Sequence, residues 1–216
     1  MKVSVVSPVE DFEDDPRICL TSIHFPSESL KSRIEEEITN PLRQISPEYY
    51  FYSKNSLHIT VKNIRVINDP PHFTEEDIKK AEEVFSKVVP THKKFKIYYF
   101  GLLLFPNNLA LIGTTDEELD KIILDLDKKL KGVGVSDDKQ YINSRYFFSN
   151  VTLARFSKPV SKKFIMKVNE LSEKINIDPY IVDSVSLITG TAVLKRLRVI
   201  KTWILRGKQW LNLLPQ

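Results

Sequence analysis

The chain has 216 residues, 42% of them hydrophobic, and a formal net charge of +4. That is enough apolar material for a sizeable core, in one domain or two closely packed lobes. No apolar run reaches the length of a membrane span, Met1 to Pro8 lacks the basic-then-apolar layout of a signal peptide, and a single cysteine excludes an internal disulfide, so a soluble, cytoplasmic protein is expected.

Residues 1–16 form an acidic N-terminal segment, ending in Glu10 to Pro16, that reads as loop; residues 17–216 are expected to make one bilobal domain. Arg17 to Phe25 reads as a strand stopped by Pro26, with Cys19 in its apolar run as a buried, inert thiol. Ser27 is a candidate N-cap for a helix over Glu28 to Ile38, where Leu30, Ile34 and Ile38 recur at helical spacing. The aromatic cluster Tyr49 to Tyr52 then leads into a strand around Ser56 to Lys62. Thr74 to Asp77 caps a helix reaching about Val88, and Lys94 to Phe105 and Asn108 to Gly113 flank a hairpin signal at Pro106-Asn107-Asn108. Thr115 and the acids after it are expected to cap a third helix, with Leu119, Ile122, Ile123, Leu126 and Leu130 on one side and an end near Gly132.

A polar stretch, Ser136 to Ser144, leads to a strand over Arg145 to Phe156. Pro159 and Ser161 open a fourth helix whose apolar stripe is Phe164, Ile165, Val168, Leu171 and Ile175; strands over Tyr180 to Thr189 and Leu197 to Leu205 close the chain. Strand, helix, strand, helix, strand, strand is followed by helix, strand, helix, strand, strand. This repetition predicts an α+β protein of two pseudo-symmetric lobes, each an antiparallel sheet with helices on its outer face and a cleft between the sheets. Charge is uneven: residues 1–108 carry 14 Lys and Arg against 16 Asp and Glu, and residues 109–216 carry 18 against 12. The late surplus, around Lys158 to Lys167 and again from Lys195 to Lys208, would suit a polyanion such as RNA, or else make solvated faces of helices and strands.

Ser56 to Lys62 (SLHITVK) and Ser149 to Arg155 (SNVTLAR) share one pattern. On a strand, Leu57, Ile59 and Val61 point one way and His58 and Thr60 the other; Val151 and Leu153 oppose Asn150 and Thr152 in the same manner. An imidazole and a hydroxyl two residues apart can reach one phosphate, the first moving a proton and the second donating a hydrogen bond. Other chemistries lack support: the six glycines form no phosphate-cradling loop, Cys and His show no metal spacing, and no Gly-x-Ser-x-Gly is present.

These two motifs, with Ala154-Arg155 after the second and within this order of elements, resemble the two-histidine (2H) phosphoesterase superfamily, especially its 2′-5′ RNA ligase-like, cyclic phosphodiesterase branch. The resemblance runs from about Arg17 to Leu205. It implies two lobes facing across a cleft and a metal-independent, cofactor-free action on 2′,3′-cyclic phosphates or 2′-5′ linkages of RNA or nucleotides; a monomer is expected. One histidine acts there as general base and the other as general acid, while two threonines hold the phosphoryl oxygens. Carried over by position, His58 is the catalytic residue and Thr60 and Thr152 are phosphate donors. Asn150 departs from the pattern, since an amide can orient a phosphate or a water but does not titrate near neutral pH. Loss of one proton-transfer group costs about 10²- to 10⁴-fold. Three readings stay open: a binding pocket only, a reaction needing a single acid or base, or another residue replacing the imidazole. His24, at the end of the first strand, is the candidate replacement; His72 and His92 read as exposed loop residues, and Arg145 and Tyr146 are candidate contacts to base or phosphate.

Overall fold

In a computed structural model, which describes Val9 and residues 11–138 and 147–206, the chain is α+β, with nine strands in two antiparallel sheets among these residues. The chain order is β1 (Ile18–His24), α1 (Glu28–Ile34), α2 (Asn40–Ile45), β2 (Tyr50–Phe51), β3 (Ile59–Asn68), α3 (Glu75–Val88), β4 (Phe95–Phe105), β5 (Asn108–Thr115), α4 (Glu118–Gly132), β6 (Ser149–Arg155), α5 (Lys162–Glu173), β7 (Tyr180–Val182), β8 (Ser184–Gly190) and β9 (Leu197–Ile204). One sheet is ordered β3-β1-β8-β9 and the other β2-β6-β5-β4-β7. The duplication is visible in that order, because β3-β1-β8 and β6-β5-β4 are equivalent trios. Each trio takes its motif strand and an earlier strand from one half of the chain and its third strand from the other half. The lobes are therefore not the two halves of the sequence.

Several boundaries differ from expectation for local physical reasons. The first helix does not end at Ile38: a π turn over Glu35–Thr39 passes it on to α2. Pro41 has no N–H to give a preceding turn, and the wider turn absorbs it while Leu30, Ile34, Ile38 and Leu42 stay on one buried stripe. Thr115 belongs to β5 and caps nothing; the N-cap of α4 is Glu117, in left-handed backbone at φ 68° with no side-chain capping bond. The expected strand from Tyr180 breaks at Asp183, so that β7 joins the second sheet and β8 the first. Ile165, placed on the buried stripe of α5, is 37% exposed, whereas Phe164, Val168 and Leu171 are buried. By contrast α3 begins with the expected capping box, in which Thr74 Oγ1 accepts the Asp77 N–H and Asp77 accepts the Thr74 N–H.

One core cluster joins the apolar faces of both sheets to α3, α4 and α5, and includes Ile59, Val61, Val151 and Leu153 from the motif strands. Gly113 on β5 sits in the register that positions β6, paired with Ser149 on one side and Tyr99 on the other. A methyl group there would fall 2.7 Å from Ile97 Cγ2 and 2.9 Å from the Tyr98 carbonyl oxygen. Gly113→Ala is expected to destabilise the fold by about 1–3 kcal/mol through overpacking, read as a lower denaturant midpoint at constant slope. An unchanged midpoint would show that the sheet has room to shift.

Candidate functional site

The alternation read from the sequence is present. Leu57, Ile59, Val61, Val151 and Leu153 are buried, while His58, Thr60, Asn150 and Thr152 are partly exposed on the opposite faces of their strands. Strands β3 and β6 approach one another although they belong to different sheets. Lys62, two residues beyond Thr60, fixes β3 from behind: its buried ammonium meets Asp137 at 2.8 Å and Asp127 of α4 at 3.3 Å.

Around His58 the structure adds Tyr52, which neither motif contains, and through it Arg155 from the end of the second motif. The His58 Nδ1–H donates to the Ser56 carbonyl at 2.8 Å, and since a carbonyl can only accept, the neutral ring carries its lone pair on Nε2. The ring lies against Tyr52, with centroids 6.0 Å apart. The Tyr52 hydroxyl donates to the Ala192 carbonyl at 2.7 Å and accepts from Arg155 Nε at 2.8 Å. Tyr52 follows β2, and Tyr50 of β2 pairs with Arg155, the last residue of the second motif. His58 of one sheet and Arg155 of the other are thus brought together through one tyrosine. Among the described residues, the side chains of Thr60, Asn150 and Thr152 make no hydrogen bond.

Electrostatics follow from this packing. Removal from water pushes the His58 imidazole down to about 4, the nearby Arg155 guanidinium adds to the shift, and the bond to Ser56 opposes it. His58 is therefore neutral at pH 7, with the lone pair of Nε2 unprotonated and a cation nearby. The sign of the linkage is set by a folded value below the unfolded 6.5: the unfolded chain takes up this proton first, and stability is lost as pH falls from about 6.5 to about 4. The expected loss from this group is about 3 kcal/mol at most, less whatever the partial exposure of the ring restores. A His58→Gln variant should show a flatter acid limb of stability against pH in chemical denaturation; a limb as steep as the parent's would remove His58 from the account.

The other histidines are not at this site. His24 is buried, its Nδ1–H donating to the Ser184 carbonyl at 3.0 Å and its Nε2 accepting from the Tyr180 hydroxyl at 2.8 Å, so neither nitrogen is available to replace the imidazole. It lines a separate pocket of about 540 Å³ with Ser27, Arg33, Asp178 and Tyr180. His72 is exposed, as expected. His92 is not: it is buried and bonded to Glu118 at 2.9 Å, because the turn after α3 tucks it against the start of α4. Cys19 is buried, and desolvation pushes its thiol up to about 11. Arg145 and Tyr146 lie outside the described residues. Of the late basic run, Lys195 pairs with Glu13, and Arg198 and Lys201 of β9 pair with Glu75 and Glu82 of α3. Among the described residues no group of His, Cys, Asp and Glu could hold a metal ion, and no helix is long and apolar enough to cross a membrane.

No protein-family model matches the sequence, and no curated protein matches it. Solved structures do share the fold. LigT of E. coli complexed with 3′-AMP aligns over 88% of this chain and 98% of its own, with a TM-score of 0.57 and 15% identity. TT0787 of Thermus thermophilus aligns over 89% and 100%, with a TM-score of 0.56 and 14% identity. A conserved protein of unknown function from Agrobacterium tumefaciens aligns over 91% and 90%, with a TM-score of 0.61 and 13% identity. Identities this low speak for the fold alone.

Proposed function

We propose that this chain, which has the fold of LigT, is a 2H phosphoesterase-like protein whose cleft binds a 2′,3′-cyclic phosphate or 2′-5′ phosphodiester of RNA or a nucleotide. The observation that carries the reading is the pairing of a neutral, backbone-oriented His58 with the Arg155 cation, on elements that also present Thr60 and Thr152. Arg155 supplies the fixed positive charge that a phosphoryl group requires, and the two hydroxyls donate to its remaining oxygens. With a cyclic phosphate in place, His58 Nε2 takes a proton from a water whose oxygen bonds to phosphorus while the bond to one ribose oxygen breaks. That departing oxygen needs a proton. In an active two-histidine site the second imidazole gives it; here Asn150 can only donate a hydrogen bond, and solvent must supply the proton.

The fold relationship extends this support: LigT itself has been solved with 3′-AMP and with phosphate. Asn150 favours a second reading, a non-catalytic RNA- or nucleotide-binding module that keeps the anion site. Hydrolysis of a nucleoside 2′,3′-cyclic phosphate by the purified protein, its His58→Ala variant and its Thr152→Val variant separates the two. Slow turnover abolished by His58→Ala supports the enzyme. Binding weakened by Thr152→Val, with no turnover, supports the module. A protein that neither binds nor turns over the nucleotide would refute both.

A further inference from the structure

The sheet register carries the motif face of β6 onward to β4. Residues paired directly across antiparallel strands share a face. Asn150 pairs with Ile112, and Ile112 with Gly101; Thr152 pairs with Ala110, and Ala110 with Leu103; Thr114 pairs with Tyr98. Between Tyr99 and Gly101 the register slips, so that Phe100 and Gly101 together oppose Ile112, a bulge at which Phe100, in step with Tyr98, is exposed. The result is an exposed apolar shelf beside Asn150 and Thr152: Tyr98 is 43% exposed, Phe100 57% and Leu103 39%. Two strand spacings separate it from the motif residues, about 10 Å. Lys96, exposed and in step with Tyr98, adds a positive charge at its far end.

We infer that Tyr98 and Phe100 form a stacking platform for the bases of a single-stranded RNA whose phosphate sits at the two motif strands. The inference rests on the proposed phosphate reading and extends it, making an oligonucleotide the ligand in place of a free cyclic mononucleotide. Three features point to this occupant. The shelf is continuous with the phosphate-binding face, two of its three exposed residues are flat aromatics that accept any base, and Lys96 stands at its far end with the Asp116 carboxylate on its backbone N–H. At about 10 Å from the motif residues the shelf lies at the limit of a mononucleotide's own base and within easy reach of the neighbouring nucleotide of an extended strand.

The test compares a fluorescent hexaribonucleotide ending in a 2′,3′-cyclic phosphate with cyclic AMP's 2′,3′ isomer, binding each to the parent, to Tyr98→Ala/Phe100→Ala and to Thr152→Val. The hexamer should bind more tightly than the mononucleotide. The double alanine change should weaken the hexamer by about 5- to 150-fold for each stacked base lost and leave the mononucleotide unchanged, while Phe100→Trp preserves hexamer binding. Equal binding of both probes with no effect of the double change would overturn the platform and leave the phosphate reading standing. A hexamer bound through Tyr98 and Phe100 but indifferent to Thr152 and to the cyclic phosphate would overturn the continuity of shelf and site, and with it the phosphate reading. No binding of either probe removes both. A dimer in solution that Phe100→Ala dissociates, with no RNA bound, would assign the shelf to a second copy of the chain and overturn the inference.

Discussion

Asn150→His should raise 2′,3′-cyclic phosphodiesterase activity by about 10²- to 10⁴-fold, the usual worth of one proton-transfer group. Asn and His are close in size, and Asn150 is partly exposed with no hydrogen bond from its side chain among the described residues, so the exchange disturbs no internal bond. What it adds is a titratable group on the strand that already carries Thr152 and Arg155. A bell-shaped pH dependence should appear with the gain, because one imidazole must be neutral and the other protonated. His58 supplies the neutral partner across a wide range, since its own protonation is pushed down to about 4. The acid limb should therefore lie low and the basic limb should report the new histidine. Combination with His58→Ala should erase the gain. If folded Asn150→His binds a cyclic nucleotide yet turns it over no faster than the parent, the two strands do not hold their side chains at catalytic distance.

The parts of this site that the sequence makes legible are those encoded within one strand. Alternation over Leu57 to Val61 and over Asn150 to Leu153 suffices to put His58 with Thr60 and Asn150 with Thr152, because the period of two is a local property of extended backbone. The start of α3 is legible for the same reason, its capping box being complete within Thr74 to Asp77. Long-range pairing is not. The exchange of β4 and β8 between the sheets, the break at Asp183 and the burial of His92 against Glu118 are all settled by partners distant in the chain. Arg155 shows the limit most clearly: in the sequence it closes the second motif with no role attached, and its place beside His58 depends on Tyr52, 103 positions earlier. The bulge at Phe100 has the same character. Period-two reading of Lys94 to Phe105 gives a strand, but which residues face the motifs depends on where β5 slips against it.

Arg155→Met is expected to weaken binding of inorganic phosphate, and of any nucleotide held through its phosphate, by about 10- to 150-fold, the range for losing hydrogen bonds to a charged group. Methionine keeps the apolar stem that packs over Tyr52, and Tyr52 retains its bond to the Ala192 carbonyl, so the substitution removes charge with little change in packing. The same change moves the titration of His58. Desolvation, the larger cause of its depressed value, stays; the guanidinium's contribution disappears, and the imidazole should titrate above about 4 but still below 6.5. Proton NMR of the His58 ring in parent and variant reads this directly, beside calorimetry with phosphate. A purely structural Arg155 would lower thermal stability on substitution while leaving both the His58 titration and phosphate affinity where they were. Arg155→Lys distinguishes the charge from its geometry: it should hold the His58 titration close to the parent's, because a cation remains, yet recover only part of the phosphate affinity, because an ammonium cannot present the guanidinium's paired donors. Full recovery with lysine would mean that the site needs a charge and no particular orientation of it.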